Sequence, residues 1–109
     1  MATNYKVLGQ VAPLATTATT VYTVPSATQA VASSIVVCNR GSTSGTFRIS
    51  VRPNNASISN EHYIIYDTDI AANDTVILTF GLTLDSGDVV EVYGSTADFS
   101  FNIYGSEIS

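Results

Sequence analysis

The sequence predicts a single all-β domain, an antiparallel β-sandwich of about eight strands with jelly-roll or immunoglobulin-like topology. Three observations predict it. Hydrophobic residues make up 45% of the 109 residues, which is enough for one core but not for two. Apolar and polar residues alternate with a period of two in several segments. Turn-forming residues separate these segments at intervals of roughly ten residues, as in sandwiches and small barrels.

Three segments alternate most regularly, and each predicts a strand with one buried face. They are residues 45–52, 74–80 and 98–104. Their apolar positions are Phe47, Ile49 and Val51; Val76, Leu78 and Phe80; and Phe99, Phe101 and Ile103. Because successive side chains of a strand point to opposite faces, each set shares one face.

The other predicted strands are rich in β-branched and aromatic residues but alternate less regularly. They are residues 5–11, 20–24, 30–38, 61–66 and 88–93. Pro25 ends the second of these, since proline cannot donate to a central ladder. Ser33-Ser34 indicates a bulge or bend within the third. All 109 residues are assigned to one domain, in which residues 1–20 form either an N-terminal strand or an arm that reaches a neighbour.

The charge balance excludes several classes of partner. Charged residues are 12% of the chain, the net charge is -5, and the basic residues are Lys6, Arg40, Arg48 and Arg52. A nucleic-acid-binding protein needs enough Lys and Arg to neutralise several phosphates, so we expect no nucleic-acid partner. The same balance disfavours an anionic membrane surface. We find no signal peptide and no apolar stretch of about 20 residues, which predicts synthesis in the cytoplasm.

Residues capable of catalysis or metal binding are few, and we predict no enzyme, no metal site and no cofactor. His62 is the only histidine and Cys38 the only cysteine. Cys38 lies in an apolar run and is predicted to be buried, which disfavours a thiolate. Asp67, Asp69 and Asp74 have calcium-ligand chemistry, but the spacing of an EF-hand loop is absent. We interpret these carboxylates as solvated.

Five residues are predicted to lie at an interface with other proteins: Arg40, Arg48, Arg52, Tyr63 and Tyr66. Arg48 and Arg52 share the polar face of one strand, and Arg40 precedes it through a short turn. They either aid solubility through cross-strand ion pairs or form a docking stripe for an acidic partner or a second copy. The tyrosines, with Tyr93 and Tyr104, suit a subunit interface or a sugar-binding platform equally.

Two long motifs resemble small virion proteins of tailed bacteriophages, especially cyanophages. One is Thr20-Val21-Tyr22-Thr23-Val24-Pro25, followed by an apolar strand that ends at Asn39 before a Gly/Ser turn. The other is Leu84-Asp85-Ser86-Gly87-Asp88-Val89-Val90, followed by Phe99-Ser100-Phe101 and the ending Tyr104-Gly105-Ser106-Glu107-Ile108. The similarity covers nearly the whole chain.

The resemblance implies a non-enzymatic structural protein of the virion. We expect a head decoration or cement protein that binds and stabilises the capsid lattice; a neck, tail, baseplate or fibre component is the alternative. A receptor- or glycan-binding β-sandwich module is a third possibility. The expected partners are copies of the chain, for which a trimer is predicted, and other virion proteins such as the major capsid protein. The expected location is the virion, after synthesis in the host bacterial cytoplasm.

Overall fold

The computed structural model describes residues 2–109, which form eight strands and two single 3₁₀ turns. The strands are β1 (Thr3–Val11), β2 (Thr19–Thr23), β3 (Gln29–Asn39), β4 (Gly45–Arg52), β5 (Tyr63–Ile70), β6 (Thr75–Leu84), β7 (Val89–Gly94) and β8 (Phe99–Ile108). The 3₁₀ turns are Pro53–Asn55 and Asn60–His62. Within these described residues, no helix has the length and apolarity needed to cross a membrane.

The strands form two four-stranded sheets in which all neighbours are antiparallel. The first sheet has the order β1-β8-β3-β6, and the second has the order β2-β7-β4-β5. Two four-stranded sheets in this order form a jelly roll, whereas a constant-type immunoglobulin domain divides seven strands four to three. The predicted β-sandwich is therefore confirmed, and its topology is that of a jelly roll.

The core lies between the two sheets, where the alternating strands place their apolar faces. Phe47, Phe99 and Phe101 are completely buried, and their ring centroids are 6.3–6.5 Å apart in tilted and edge-to-face arrangements. These separations are in the range that aromatic pairs favour. The inward-facing Val76, Leu78 and Phe80 of β6 pack against this core but stay partly exposed.

Several strand boundaries differ from the sequence prediction. β5 begins at Tyr63 rather than at residue 61, because the Ser59 backbone N–H donates to His62 Nδ1 and stabilises a 3₁₀ turn just before it. β6 and β8 run four residues beyond their predicted ends. The predicted irregularity at Ser33-Ser34 is confirmed, since the register of β3 shifts between Ala32 and Ser34 against both neighbours.

Much of the N-terminal segment belongs to the sandwich itself. β1 pairs with β8 from Thr3 to Val11 and forms one edge of the first sheet. Farther along, the Thr16 N–H donates to the Gly94 carbonyl at 2.8 Å and ties the connection to the second sheet. Gly9 lies so close to Val21 of β2 that an added Cβ would overlap the Val21 carbonyl oxygen. The two sheets therefore meet closely along the β1 and β2 side.

A polar cluster lies at this same side of the sandwich. Glu107 accepts a hydrogen bond from the Tyr22 hydroxyl at 2.6 Å and pairs with Lys6 Nζ at 3.0 Å. Burial and this hydrogen bond raise the Tyr22 pKa above its usual value. The same hydrogen bond is the largest cause of a lowered pKa at Glu107, and the contact with Lys6 is the next largest. The cluster joins the two sheets through a charge-assisted contact.

Candidate interaction surfaces

Arg48 lies at the centre of an aromatic cluster on the outer face of the second sheet. Its guanidinium carbon is 4.2 Å from the ring centroid of Tyr66 and 4.2 Å from that of Tyr93. Its Nε and Nη2 donate to the two carboxylate oxygens of Asp67, at 2.6 and 3.2 Å. These hydrogen bonds raise the pKa of Arg48 and lower that of Asp67. A planar guanidinium suits simultaneous stacking and bidentate pairing.

A β-bulge in β5 explains how two adjacent residues reach the same arginine. Phe47 pairs with Thr68 and Ile49 pairs with Ile65, so β5 has one more residue than β4 between these pairs. Tyr66 and Asp67 therefore both lie opposite Arg48, and Asp67 has a φ of 50°. Two residues facing one is the defining geometry of a bulge. The only signal for it in the sequence is the loss of alternation in residues 63–70.

Tyr63 extends the cluster to a shallow recess. Its ring meets Tyr66 edge-on with centroids 4.9 Å apart, and its Cα pairs with that of Ser50 on β4. Tyr63, Ser50, Glu91 and Tyr93 help to line a recess of about 200 Å³. The recess combines aromatic faces with a hydroxyl and a carboxylate, which is chemistry that can bind a polar ring.

Arg52 lies on the same outer face but serves a different local contact. Its Nη2 pairs with Glu91 at 3.1 Å, and its Nη1 donates to the Asn55 side chain and to the Ala56 carbonyl at 3.1 and 2.7 Å. The Arg52 side chain is only 15% exposed. It therefore holds the turn after β4 against β7.

Arg40 is separate from the other two arginines of the predicted interface. It follows β3 of the first sheet, and its Nη2 donates to the Ala97 carbonyl at 3.1 Å. Its backbone N–H donates to the Asp98 carbonyl at 2.9 Å. The structure thus brings together Arg48, Tyr63 and Tyr66, places Arg52 at the end of the same face, and leaves Arg40 at the loop between β7 and β8. As a docking surface for another protein, this set stays a prediction.

The predicted burial of Cys38 was wrong. It is half-buried rather than buried, because Val37 and Asn39 take the inward positions on either side of it. His62 faces its own turn, where Nδ1 accepts the Ser59 N–H. Across residues 2–109, no three His, Cys, Asp or Glu side chains are grouped closely enough to hold a metal ion.

The buried Asn39 has a structural role that the alternation pattern of its strand did not predict. Its Nδ2 donates to the carbonyls of Thr43 and Ala71 at 2.9 and 3.2 Å, and its Oδ1 accepts the Gly41 N–H at 2.9 Å. Asn39 is 1% exposed. It therefore joins the loop after β3 to the loop after β5. Its signal in the sequence is an asparagine where an apolar strand ends before a Gly/Ser turn.

The outer face of the first sheet has a distinct composition, and we call it the neutral face. Its side chains form five cross-strand rows defined by the pairing register. The rows are Thr3–Ile108–Gln29, Tyr5–Ser106–Val31–Thr83, Val7–Tyr104–Ser34–Thr79, Gln10–Asn102–Val36–Ile77 and Ser100–Cys38–Thr75. None of these side chains is charged.

The neutral face exposes large apolar side chains. Tyr5 is 86% exposed, Ile77 68% and Val7 46%. Lys6 and Glu107 lie in β1 and β8, which also contribute to the neutral face. Each is adjacent in sequence to a residue of that face, Val7 and Ser106 respectively, so its side chain points to the opposite side of the sheet. Tyr104 lies on this face and is therefore remote from the tyrosines of the second sheet.

No protein-family model matches the chain, and no curated protein shows significant similarity to it.

Proposed function

We propose that the chain is a non-enzymatic structural protein of a tailed-phage virion, and specifically a head decoration or cement protein. The neutral face is the observation that carries this proposal. A surface of hydroxyl, aliphatic and tyrosine side chains can be covered by a neighbour with little desolvation of charge. The jelly roll also occurs in viral capsid domains. The resemblance of the strand and turn motifs to phage virion proteins supports the same role.

Three of the four basic side chains are engaged in internal ion pairs, which agrees with a structural role. Arg48 is paired with Asp67, Arg52 with Glu91, and Lys6 with Glu107. The major capsid protein is the proposed partner beyond copies of the chain itself. In a neck, tail, baseplate or fibre component, the partner beyond copies of the chain would be a different virion protein.

Mass spectrometry of purified virions tests the proposal. We expect the chain to be present in hundreds of copies per particle, because a decoration protein follows the repeats of the capsid lattice. A few copies or a few dozen would place it in the neck, tail, baseplate or fibre. Absence from purified particles would refute the structural role altogether.

The recess beside Arg48 favours one second candidate, a receptor- or glycan-binding module. Tyr63 and Tyr93 offer aromatic faces next to Glu91 and Ser50, and jelly rolls also occur in lectins. If the recess binds sugars, a glycan array should yield hits that Tyr63→Ala abolishes. Tyr104→Ala is the matched control, since Tyr104 lies on the neutral face. An array without hits removes this candidate.

A further inference from the structure

We propose that the neutral face of one copy binds the β6 edge of a second copy, and that three copies close a ring in this way. The inference rests on the proposed structural role and names the partner of the neutral face. Two features of the chain carry it: the charge-free sheet face and the long, charge-free edge strand beside it.

β6 is an edge strand that has neither charges nor prolines to prevent pairing, and its one irregularity is the extra residue that it places opposite Ser33. It has a neighbour only on its β3 side, and its ten residues from Thr75 to Leu84 contain no charged residue and no proline. Natural proteins usually protect exposed edges with charges, prolines, bulges or short strands, and β6 has only a bulge, near its C-terminal end. The other edge strands differ from β6. In the second sheet, β5 carries Asp67 and Asp69, and β2 has only five residues. β1 carries Lys6.

The core-facing side of β6 is also incompletely covered. Val76, Leu78 and Phe80 are partly exposed, although their neighbours Val37 and Ile35 on β3 are completely buried. The opposite side of the sandwich is closed by the contact between Gly9 and Val21. An apolar strip therefore remains at the β6 side, and burying it is favourable.

The charge distribution favours a second copy of the chain as the occupant. Each chain carries a net charge of -5, so two copies repel each other when their charged surfaces meet. The neutral face and the β6 edge are the surfaces that avoid this repulsion, because neither has a charged side chain.

The size of the face fits a stable interface. Its strands have nine to eleven residues. Four strands about 4.8 Å apart and roughly 30 Å long cover roughly 600 Å² before side-chain relief is counted. A standard interface buries about 800 Å² per partner. The flat area of the neutral face is thus about three quarters of that figure, and side-chain relief adds to it, so the face is of the right order to receive the edge of a neighbour.

The relative direction of the two surfaces favours a ring over a pair. The free backbone groups of the β6 edge point within the plane of the sheet, whereas the side chains of the neutral face point perpendicular to that plane. A contact between the edge of one copy and the face of the next therefore joins two different surfaces and is head-to-tail. Such contacts close into rings when the rotation between copies fits. Three copies, the number expected from the virion role, need a rotation of about 120° between neighbours. A face-to-face dimer would leave the partly exposed side chains of β6 uncovered.

Light scattering with size-exclusion chromatography of the purified full chain tests the ring. We expect a mass three times the 11.5 kDa of one chain. Asn102→Asp places a charge at the centre of the neutral face while keeping an acceptor for the Gln10 amide, which donates to Asn102 at 2.6 Å. Gly81→Lys places a charge on the edge strand at a position with open space around its Cβ.

Both variants should weaken association at least about tenfold, because each buries an unpaired charge in the interface. The matched controls are Ser57→Asp and Ser57→Lys in an exposed loop, and they should remain trimeric. Circular dichroism shows whether each variant is folded. A monomeric wild-type chain overturns the proposal, as does a dimer that Asn102→Asp disrupts and Gly81→Lys leaves intact.

Cys38 provides a test that needs no variant. Its half-buried thiol lies on the neutral face, so ring formation should shield it. We expect alkylation of Cys38 to slow about tenfold or more as the protein concentration rises above that of assembly. A rate that does not depend on concentration overturns the proposal. If the chain is trimeric but absent from virions, the virion role is refuted and the ring stands. If the chain is present in virions but monomeric, the ring is refuted and the virion role stands.

Discussion

At the scale of single residues, the contacts that organise this protein involve its few charged and amide side chains. Arg48, Arg52 and Glu107 each contact more than one partner, and Asn39 connects two loops. Alternation in the sequence predicted on which face Arg48 lies. It did not predict Asp67 as its partner, because that pairing depends on one extra residue in β5.

The contact between Tyr22 and Glu107 predicts a specific pH dependence of stability. The pKa of Glu107 is lowered in the folded protein, so its contribution is present above the ordinary value of 4.5 and is lost as the pH falls through the folded pKa. Tyr22→Phe removes the largest cause of this shift. We expect it to lower the free energy of unfolding at neutral pH by about 1.5–3 kcal/mol and to have a smaller effect at about pH 3.

Urea unfolding at the two pH values measures this difference. Lys6→Gln is the control, because the Lys6 side chain is 48% exposed and an exposed pair contributes only about 0–1 kcal/mol. Equal losses for Tyr22→Phe at both pH values would contradict the assigned role of Glu107. On the alkaline side, the raised Tyr22 pKa means that its contribution is lost as the pH rises above 10.

At the scale of elements, the alternating strands were predicted well and the ends of strands less well. Phe47, Ile49 and Phe101 are buried as expected, because period-two alternation directly reflects a half-buried strand. The continuation of β6 through Gly81 and the turn before Tyr63 were missed. Both depend on contacts with other segments, which local preference does not determine.

The close approach of β1 to β2 predicts that an alanine lowers the free energy of unfolding at Gly9 but not at Gly81. In Gly9→Ala, the new Cβ would overlap the Val21 carbonyl oxygen, and we expect a loss of about 1–3 kcal/mol in unfolding free energy. In Gly81→Ala, the Cβ meets open space, and we expect no loss or a gain of up to about 1 kcal/mol. Urea denaturation of both variants measures this, and equal effects would argue against tight closure at the β1 side.

At the scale of the whole molecule, the sequence predicted a low-charge surface but not how the charges are divided. Charged side chains occupy the outer face of the second sheet, the loops and the polar cluster at the β1 side, whereas the neutral face has none. The division follows from strand order, which brings β1, β8, β3 and β6 together from distant parts of the chain. Pairing between segments so far apart is not encoded in any local pattern.

This division of charge predicts an unusual salt dependence of self-association. The net charge of -5 on each chain repels its neighbours, and the proposed interface has no ion pairs for salt to weaken. Raising the ionic strength from about 0.01 to 0.1 M shortens the Debye length from about 30 to 10 Å and screens the repulsion. We therefore expect trimers to form at lower protein concentration as salt is added.

Sedimentation equilibrium at the two ionic strengths measures this shift in the concentration of assembly. Ser57→Lys reduces the net negative charge outside the interface and should make the shift smaller. Association that weakens with salt would instead indicate that the charged face around Arg48 holds the copies together.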